Sequence, residues 1–301
     1  MENFILLDGG TGQMIKDNGF KCEGEALWSS AALKYAPELV KEVHESFAKA
    51  GATTIYTNTY SLHLNSIEDI PEKLGTLIAK NIDIINKICQ TYDCTYRISI
   101  GPLAVKFHDA SEYSGAYMKD GRATIKDVCD HYDAILGEVQ KHGYKDVAFE
   151  TIPTMAEVKG AIKSLKKYPR ISAFLTVVPK DENETVGGDS LIEITKIIAE
   201  CLQINAFGIN CCNPNFCSPV AKLISPYIRD NQFLIMKPND GRKYLPEDDC
   251  YFGAPIDMTK DLPELAANKV RYIGGCCSVR PDDIKKYARY IEEHKIKMHD
   301  S

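Results

Sequence analysis

Two cysteine motifs follow hydrophobic runs and stand about 65 residues apart in the chain. The first is Cys211, directly after Asn210, and the second is the adjacent pair Cys276 and Cys277, which follows two glycines. Each run is typical of a buried strand, so the thiols stand at strand ends. Three thiolates at the same end of two strands can hold a zinc ion and leave its fourth position open. The pattern therefore predicts a zinc site of the catalytic kind.

The other cysteines leave alternatives open at this point. Cys212 competes with Cys211, because spacing alone does not separate two neighbours, and Cys217 and Cys250 are weaker candidates in predicted loops. Any one of these cysteines also fits a buried core thiol, since free cysteine is among the most buried residue types. Three thiols at one rim, two of them adjacent, favour metal binding over burial in the core.

A second group of polar residues also stands at predicted strand ends. Asp8 precedes Gly9 and Gly10 after the first hydrophobic run, and Glu150 follows a later run. Glycines at this position permit an ordinary turn, but they also expose backbone N–H groups that can hold a carboxylate. The carboxylates of Asp8 and Glu150 suit a substrate ammonium. Combined with a thiolate zinc site, they predict a pocket for an amino acid that carries a thiol.

Trp28 is the only tryptophan and falls in a loop-like segment after the first strand. It fits a core residue, or a rim residue whose ring face receives a cation such as a sulfonium or a quaternary ammonium. His44 falls among charged residues on a predicted helix and is interpreted as solvated.

The elements that must position these residues alternate along the chain. Short apolar runs predict eight strands, at residues 4–7, 53–56, 97–100, 147–149, 171–178, 206–209, 233–236 and 270–273. Helical patterns between them are clearest at residues 37–50, 124–142, 155–167, 191–202 and 282–294. Strands that alternate with helices predict a (β/α)8 TIM barrel, whose active site lies at the carboxyl ends of the strands. The longer connections 104–123 and 238–258 are candidate pocket loops.

Composition narrows the class of protein further. The 301 residues are 44% hydrophobic and 26% charged with a net charge of -6, which is typical of a globular protein and argues against nucleic-acid binding. No apolar run reaches the length of a membrane span or a signal core. We therefore expect one cytoplasmic domain over residues 1–301. Its 11 cysteines are expected to be thiols or metal ligands rather than disulfides.

At these motifs the chain resembles the homocysteine S-methyltransferase family over essentially its whole length. The resemblance rests on Asp8-Gly9-Gly10, the segment around Trp28, Thr57-Asn58-Thr59-Tyr60, the segment around Glu150, Gly208-Ile209-Asn210-Cys211 and Gly274-Gly275-Cys276-Cys277. It implies a barrel with zinc held by Cys211, Cys276 and Cys277, and it favours Cys211 over Cys212. It also implies homocysteine binding by Asp8, Gly9 and Glu150. Further candidate substrate contacts in the matched segments are Gly10, Trp28, Asn58, Tyr60 and Asn210.

The reaction that the resemblance implies is transfer of a methyl group to the thiol of homocysteine, which gives methionine. The expected donor is a sulfonium, either S-methylmethionine or S-adenosylmethionine. Betaine as donor and selenocysteine as acceptor remain alternatives. A zinc hydrolase and a non-catalytic zinc- or thiol-binding protein are rival functions. The expected partners are homocysteine and a small-molecule donor, with no nucleic acid or membrane, and the sequence does not indicate the oligomeric state.

Overall fold

A computed structural model describes residues 4–63, 71–245 and 250–296 of the chain. Eight parallel strands form one sheet: β1 (Ile5–Leu6), β2 (Thr54–Tyr56), β3 (Thr95–Ile100), β4 (Asp146–Ile152), β5 (Ser172–Val177), β6 (Ile204–Asn210), β7 (Phe233–Lys237) and β10 (Val270–Ile273). Their order in the sheet is β1-β10-β7-β6-β5-β4-β3-β2. A parallel bridge between Leu7 and Thr54 joins the first and last strands of that order. The predicted (β/α)8 barrel is confirmed, and each predicted strand overlaps an observed one.

Helices surround the sheet in the described part of the chain. They are α1 (Thr11–Asp17), α2 (Ala32–Tyr35), α3 (Pro37–Lys49), α4 (Pro71–Tyr92), α5 (Ala116–Lys119), α6 (Ile125–Lys141), α7 (Met155–Leu165), α8 (Leu191–Ala199), α9 (Cys217–Ile224), α10 (Leu262–Ala267) and α11 (Pro281–His294). None of these described helices combines the length and apolar character needed to cross a bilayer.

Local sequence explains where two of the predicted helices begin and end. Helix α3 begins at Pro37, whose missing N–H would have lacked a helical partner there anyway, and Gly51 follows it with a φ of 106°. At the start of α6, the Thr124 hydroxyl accepts from the Asp127 N–H, and the Asp127 carboxylate accepts from the Thr124 N–H. This reciprocal capping satisfies two backbone donors at the helix start.

The core has two layers. The larger one lies between the strands and the helices, whereas a smaller one fills the barrel with Leu7, Tyr56, Ala148, Phe174, Ala206 and Ile235. At the amino ends of the strands, the Arg97 guanidinium stacks 3.3 Å from the centroid of the Phe174 ring. Side chains therefore fill the middle of the barrel, and active sites of this fold open at the carboxyl-end rim.

Both long connections contain short elements. The first carries 3₁₀ turns at Leu103–Lys106 and Ser111–Tyr113, followed by α5. The second carries a two-stranded antiparallel ribbon, β8 (Lys243–Leu245) with β9 (Cys250–Phe252). The predicted connection 238–258 includes residues 246–249, which lie outside the described residues.

The position of His44 contradicts the prediction that this histidine is solvated. It is fully buried, and its Nε2 lies 3.1 Å from Asn81 Nδ2 on α4. Burial lowers the pKa of His44 to about 4, so the imidazole is neutral at physiological pH. The prediction of a solvated histidine is wrong because the partner helix α4 was not recognised in the sequence.

Candidate active site

Three cysteines converge at the carboxyl-end rim of the barrel. Cys211 follows β6, and Cys276 and Cys277 follow β10, one strand away from it across β7. Their Sγ atoms all lie within 4.8 Å of one another. Cys211 has a φ of 51°, and Ser278, directly after the pair, has a φ of 64°. These left-handed conformations turn the chain sharply, so residues that would point apart on a regular strand share one centre.

The structure separates Cys211 from its rivals. Cys212 is buried in the hydrophobic core, and its thiol shares a hydrogen bond with that of the buried Cys217. Cys250 lies in β9, where its side chain is outside the described part of the structure. Geometry therefore agrees with the choice of Cys211, Cys276 and Cys277 as the candidate ligands.

The Sγ atoms of Cys211 and Cys276 are in direct contact, with their Cα atoms 5.4 Å apart. Sulfurs that converge in this way can share one cation. Metal binding requires the reduced pair, because the thiolate is the ligand.

The donor set fits zinc. A tetrahedral zinc with sulfur ligands at about 2.3 Å places those sulfurs roughly 3.8 Å apart, a spacing within the 4.8 Å of the cluster. Polar neighbours approach the sulfurs: Asn210 Nδ2 lies 3.9 Å from Cys276 Sγ, and the Tyr113 hydroxyl lies 3.9 Å from Cys211 Sγ. Cys211, Cys276 and Cys277 are thus the residues that would hold the ion.

The surroundings of the Cys277 thiol disfavour its ionisation. Burial raises its pKa above the usual range for cysteine, while hydrogen bonds from the hydroxyls of Tyr113 and Tyr251 oppose that rise. Both tyrosines come from the long connections that follow β3 and β7. The two predicted pocket loops therefore contribute side chains to the sulfur cluster.

A buried charged network lies beside the sulfurs. Lys237, the last residue of β7, places its Nζ 2.8 Å from Glu150 Oε2 and 3.7 Å from Asp8 Oδ1. The same Nζ lies 3.7 Å from the centroid of the Tyr56 ring. Asp8 is 1% exposed and Lys237 is 3% exposed, so water screens these charges poorly. Asp8 and Glu150 are neighbours, as their positions at strand ends predicted, whereas nothing in the sequence pattern indicated the lysine between them.

Asp8 is the unusual member of this network. Burial raises its pKa from 3.8 to about 7, although Lys237 and the Tyr56 N–H both act to lower it. Its Oδ2 accepts from the Tyr56 N–H at 2.9 Å, whereas its Oδ1 has no hydrogen-bond partner in the described structure. A buried carboxylate oxygen without a donor is an acceptor available to a ligand.

The two glycines after Asp8 differ in the availability of their N–H groups, and both pack closely against the segment that carries Cys276 and Cys277. The Gly10 N–H donates to the Val279 carbonyl at 3.0 Å, so it is not free to hold a substrate carboxylate. A Cβ at Gly9 would lie 2.5 Å from the Val279 oxygen, and a Cβ at Gly10 would lie 2.7 Å from the Cys276 oxygen. Their small size lets the end of β1 pack against the segment that carries Cys276 and Cys277.

Two other predicted contacts, Tyr60 and Asn210, meet at Thr151. The Tyr60 hydroxyl shares a hydrogen bond with the Thr151 side chain. Asn210 accepts from the Thr151 N–H at 3.0 Å and donates to the Thr151 hydroxyl at 2.8 Å. Thr151 has a φ of 62°, a costly conformation for a β-branched residue. This network links the ends of β2, β4 and β6 beside the sulfur cluster.

Trp28 and Asn58 lie on another side of the rim. Trp28 is half-buried, begins a 3₁₀ turn with a φ of 42°, and packs its ring against Gly12 of α1. The Asn58 side chain donates to the Ser29 carbonyl at 2.8 Å and lies 3.1 Å from the Ser29 hydroxyl. The amide of Asn58 therefore holds the Trp28 turn in place, and both of its polar atoms already have partners.

The segment from Lys237 to Asn239 joins the two cysteine motifs. Its carbonyls accept from the N–H groups of Cys211, at 3.2 Å from Lys237, and of Cys276, at 2.8 Å from Pro238. The Asn239 N–H donates to the Cys212 carbonyl at 2.8 Å. The end of the strand that carries the buried ammonium therefore also sets the distance between the two cysteine motifs.

Comparison with known proteins agrees with this geometry. The family model described as homocysteine S-methyltransferase matches residues 5–291. Homocysteine S-methyltransferase 2 of Zea mays is 28% identical, covering 98% of this chain and 91% of its own. Betaine-homocysteine S-methyltransferase of Drosophila melanogaster is 25% identical, covering 97% of this chain and 95% of its own.

The fold agrees as well. The metallated form of the homocysteine methyltransferase MmuM from Escherichia coli superposes with a TM-score of 0.81 at 24% identity, covering 96% of each chain. A family match over nearly the whole chain is stronger evidence of activity than similarity of fold, because one barrel fold hosts many unrelated activities. The chain belongs to the homocysteine S-methyltransferase family and is a methyltransferase that acts on homocysteine.

Proposed function

We propose that the enzyme transfers a methyl group from a sulfonium donor, S-methylmethionine or S-adenosylmethionine, to the thiol of homocysteine at a zinc ion held by Cys211, Cys276 and Cys277. The observation that carries this proposal is the position of the three sulfurs directly beside the buried network of Asp8, Lys237 and Glu150. One part of the site suits a thiol, and the other suits the charged groups of an amino acid.

The charged part supports an amino acid as acceptor. Asp8 presents an oxygen without a hydrogen-bond partner in the described structure, and the whole network is buried, so a substrate ammonium would form a charge-assisted bond there. Homocysteine carries both groups that such a site would recognise, an ammonium for this carboxylate and a thiol for the cysteine cluster. Asn210 and Thr151 are hydrogen-bonded to each other, and their side chains lie 3.9 Å from Cys276 Sγ and 4.0 Å from Cys211 Sγ, respectively.

A bound zinc ion supplies positive charge that keeps the acceptor sulfur in its thiolate form at neutral pH. The barrel rim holds that sulfur in line with the donor methyl group. The sulfur electron pair forms the new S–C bond while the bond between the methyl carbon and the donor sulfur breaks, and its electron pair stays on the donor sulfur. A cation and an anion become two neutral thioethers, a change that a poorly solvated pocket favours.

The donor side rests on Trp28 and the two long connections. Trp28 is half-buried at the rim, and an indole face attracts a sulfonium or a quaternary ammonium. The name of the fruit-fly relative gives betaine as that enzyme's donor, so betaine is the competing donor for this chain. Both donors are methylated cations, and the attraction of an aromatic face alone does not select between them.

A donor panel tests the proposal. Zinc-loaded, reduced protein is incubated with isotopically labelled homocysteine and S-methylmethionine, S-adenosylmethionine or betaine. Labelled methionine and the demethylated donor, which is unlabelled methionine when S-methylmethionine is the donor, are both measured. We expect these two products in equimolar amounts, with a sulfonium giving the highest kcat/KM. Selenocysteine serves as a competing acceptor, and Cys212→Ser is the matched control for Cys211→Ser. Methionine formed only from betaine would reject the sulfonium, and no methionine from any donor would reject the proposed function.

A further inference from the structure

Tyr113 reaches the sulfur cluster from a surface loop, the first long connection. Its hydroxyl lies 3.9 Å from Cys211 Sγ and shares a hydrogen bond with the thiol of Cys277. Tyr113 is nevertheless 44% exposed, so the packing around its own ring holds it only in part. The position of the hydroxyl therefore depends on how the backbone of the connection is held.

The backbone around Tyr113 is a tight turn between two left-handed residues. Ala110 has a φ of 56° and Gly115 has a φ of 65°. The Tyr113 N–H donates to the Ala110 carbonyl at 3.0 Å, and the Gly115 N–H donates to the Ser111 carbonyl at 2.8 Å. These local bonds fix the shape of the turn, whereas its place above the sulfurs requires contacts with the rest of the barrel.

The carboxyl group of Glu157 supplies such contacts on both sides of the turn. Glu157 lies in the first turn of α7 and is fully buried. Its Oε1 accepts from the Leu103 N–H at 2.7 Å, and its Oε2 accepts from the Tyr117 hydroxyl. Leu103 precedes Tyr113 in the chain and Tyr117 follows it. One carboxyl group therefore ties both ends of the segment that carries Tyr113.

The helices around Glu157 give this tie a rigid base. The buried Tyr132 of α6 donates its hydroxyl to Glu157 Oε1 at 3.1 Å. The Glu157 N–H donates to the hydroxyl of Thr154, the residue that caps α7, at 3.2 Å. A Cβ at Gly115 would lie 2.6 Å from Thr154 Cγ2, so the start of α7 also packs directly against the connection.

We propose that Glu157 is a positioning residue for methyl transfer, which holds the segment from Leu103 to Tyr117 so that the Tyr113 hydroxyl contacts the metal-ligand sulfurs. This inference rests on the proposed function, because it takes Cys211 and Cys277 as zinc ligands. A hydrogen bond to a ligand thiolate orients the sulfur and draws off part of its charge. Partners of this kind typically change metal affinity or activity by about 10- to 100-fold.

The competing role for Glu157 is a purely structural one. Burial raises its pKa to about 8, so the carboxyl is mostly protonated at neutral pH and a neutral side chain of the same shape can replace it. Glu157→Gln keeps that shape and an acceptor for the Leu103 N–H, whereas Glu157→Leu removes every hydrogen bond of the carboxyl. A structural residue would lower Tm in Glu157→Leu without changing the metal site.

A double-mutant cycle between Glu157 and Tyr113 tests the inference. Zinc affinity of the reduced protein is measured by competition with a chelator for Tyr113→Phe, Glu157→Leu and the double variant. We expect each single change to weaken zinc binding about tenfold and the double variant to lose at most about twofold more, because the second change removes a contact already lost. Losses that multiply to about 100-fold would overturn the inference, as would normal zinc affinity in either single variant.

Cobalt(II) in place of zinc gives a readout that stability alone does not change. Its sulfur-to-metal charge-transfer absorption responds to hydrogen bonds at the ligand sulfurs. The band should shift in the same direction in Tyr113→Phe and Glu157→Leu, whereas Glu157→Gln should keep the band and the zinc affinity of the natural protein. An unshifted band in Glu157→Leu would reject the positioning role.

Gln203→Met is the matched control for a loss of buried hydrogen bonds. The Gln203 amide, directly before β6, donates to the carbonyls of Leu165, Tyr168 and Ile171. The variant loses these bonds at the amino end of the barrel, away from both long connections, so it should lower Tm and leave zinc affinity and the cobalt spectrum unchanged. Changes equal to those in Glu157→Leu would assign the effect to stability and reject the inference.

Tyr117→Phe keeps the test decisive if Glu157→Leu does not fold. It removes only the tie that follows Tyr113, so it should weaken zinc binding about threefold and shift the cobalt band. Normal values of both in Tyr117→Phe would then reject the inference. The natural protein separates the two proposals. Failure to bind zinc or to form methionine from any donor rejects the proposed function, whereas an active zinc enzyme with an additive cycle rejects only the role of Glu157.

Discussion

The two parts of the site are built in different ways. The sulfur cluster of Cys211, Cys276 and Cys277 depends on strained backbone, with left-handed residues at Cys211 and Ser278, and its polar neighbours are neutral hydroxyl and amide groups. The charged network depends on side chains at the ends of strands, and its geometry comes from ion pairing between Lys237 and the buried carboxylates.

This difference indicates that metal binding and amino-acid binding are separable. The free energy of metal binding at the sulfur cluster comes from coordination, which requires every ligand. The specificity of the charged network for a ligand comes from the balance among its buried charges. A substitution in one part should therefore change one property and leave the other measurable. The predictions that follow test that separation, beginning with the largest expected effect.

Loss of a ligand cysteine should have the largest effect. We expect about one zinc per reduced chain, and each of Cys211→Ser, Cys276→Ser and Cys277→Ser should weaken zinc binding by roughly 100-fold or more, because each removes one thiolate from a three-thiolate site. Methyl transfer should fall with the metal. Zinc affinity is measured by competition with a chelator, and zinc content by elemental analysis.

The neighbouring cysteine is the control for this prediction. Cys212→Ser alters a buried thiol beside Cys217 rather than a member of the cluster, so it should retain zinc. Full zinc retention by Cys276→Ser and Cys277→Ser would show that these cysteines are not zinc ligands. If Cys212→Ser loses zinc and Cys211→Ser retains it, Cys212 rather than Cys211 is the zinc ligand.

The charged network should respond to pH through Asp8. Its pKa of about 7 means that the carboxylate needed to bind an ammonium forms only as pH rises through neutrality. We expect ionisation of Asp8 to strengthen homocysteine binding about tenfold per pH unit below 7 and to add nothing above it, in addition to the increase that release of the thiol proton causes over the whole range. Calorimetric titration of zinc-loaded protein from pH 5.5 to 8.5 measures this, and Asp8→Asn should abolish that step.

Asp8 affects stability with the opposite sign. Because burial raises its pKa, the folded protein holds this proton more tightly than the unfolded chain does. Its contribution to the free energy of unfolding is therefore full below about pH 4 and declines as pH rises towards 7. Comparison of Tm between the natural protein and Asp8→Asn across that range isolates this contribution. An identical pH dependence of Tm in both proteins would show that Asp8 titrates normally.

The smallest effect is expected at Trp28. Trp28→Leu should weaken binding of a cationic donor by about 0.5–2 kcal/mol, roughly 2- to 30-fold, because it removes the indole face while keeping apolar bulk. Trp28→Phe retains an aromatic face and should lose less. Donor KM, homocysteine KM and Tm are measured together. Lower stability with normal donor binding would make Trp28 a packing residue over Gly12.

Sequence patterns were sufficient for the barrel and for the position of the sulfur cluster at its rim, although spacing alone did not separate Cys211 from Cys212. Buried parallel strands are short and apolar, so their ends are visible as changes in polarity, as at Cys211 and Glu150. The barrel topology then places those ends on one face. The site roles of these residues remain predictions, but their proximity is a property of the fold that the pattern of strands already contained.

Lys237 could not be found in this way. A lysine after an apolar strand normally marks the return to solvent, and only its partners reveal that this one is buried. Those partners, Asp8 and Glu150, lie 229 and 87 residues away in the chain. The prediction that His44 is solvated was wrong for the same reason, because its burial depends on Asn81 in a helix that the sequence pattern did not indicate.

The shared strand β7 makes the site sensitive to register. Asn210 pairs with Lys237 on one side of β7, and Ile273 pairs with Met236 on the other. A slip of one residue would turn Lys237 to the opposite face of the sheet and shift the two carbonyls that accept from Cys211 and Cys276. A misfolded β7 would therefore lose thiol geometry and charge balance in a single error, so catalytic competence reports on correct assembly of the whole barrel.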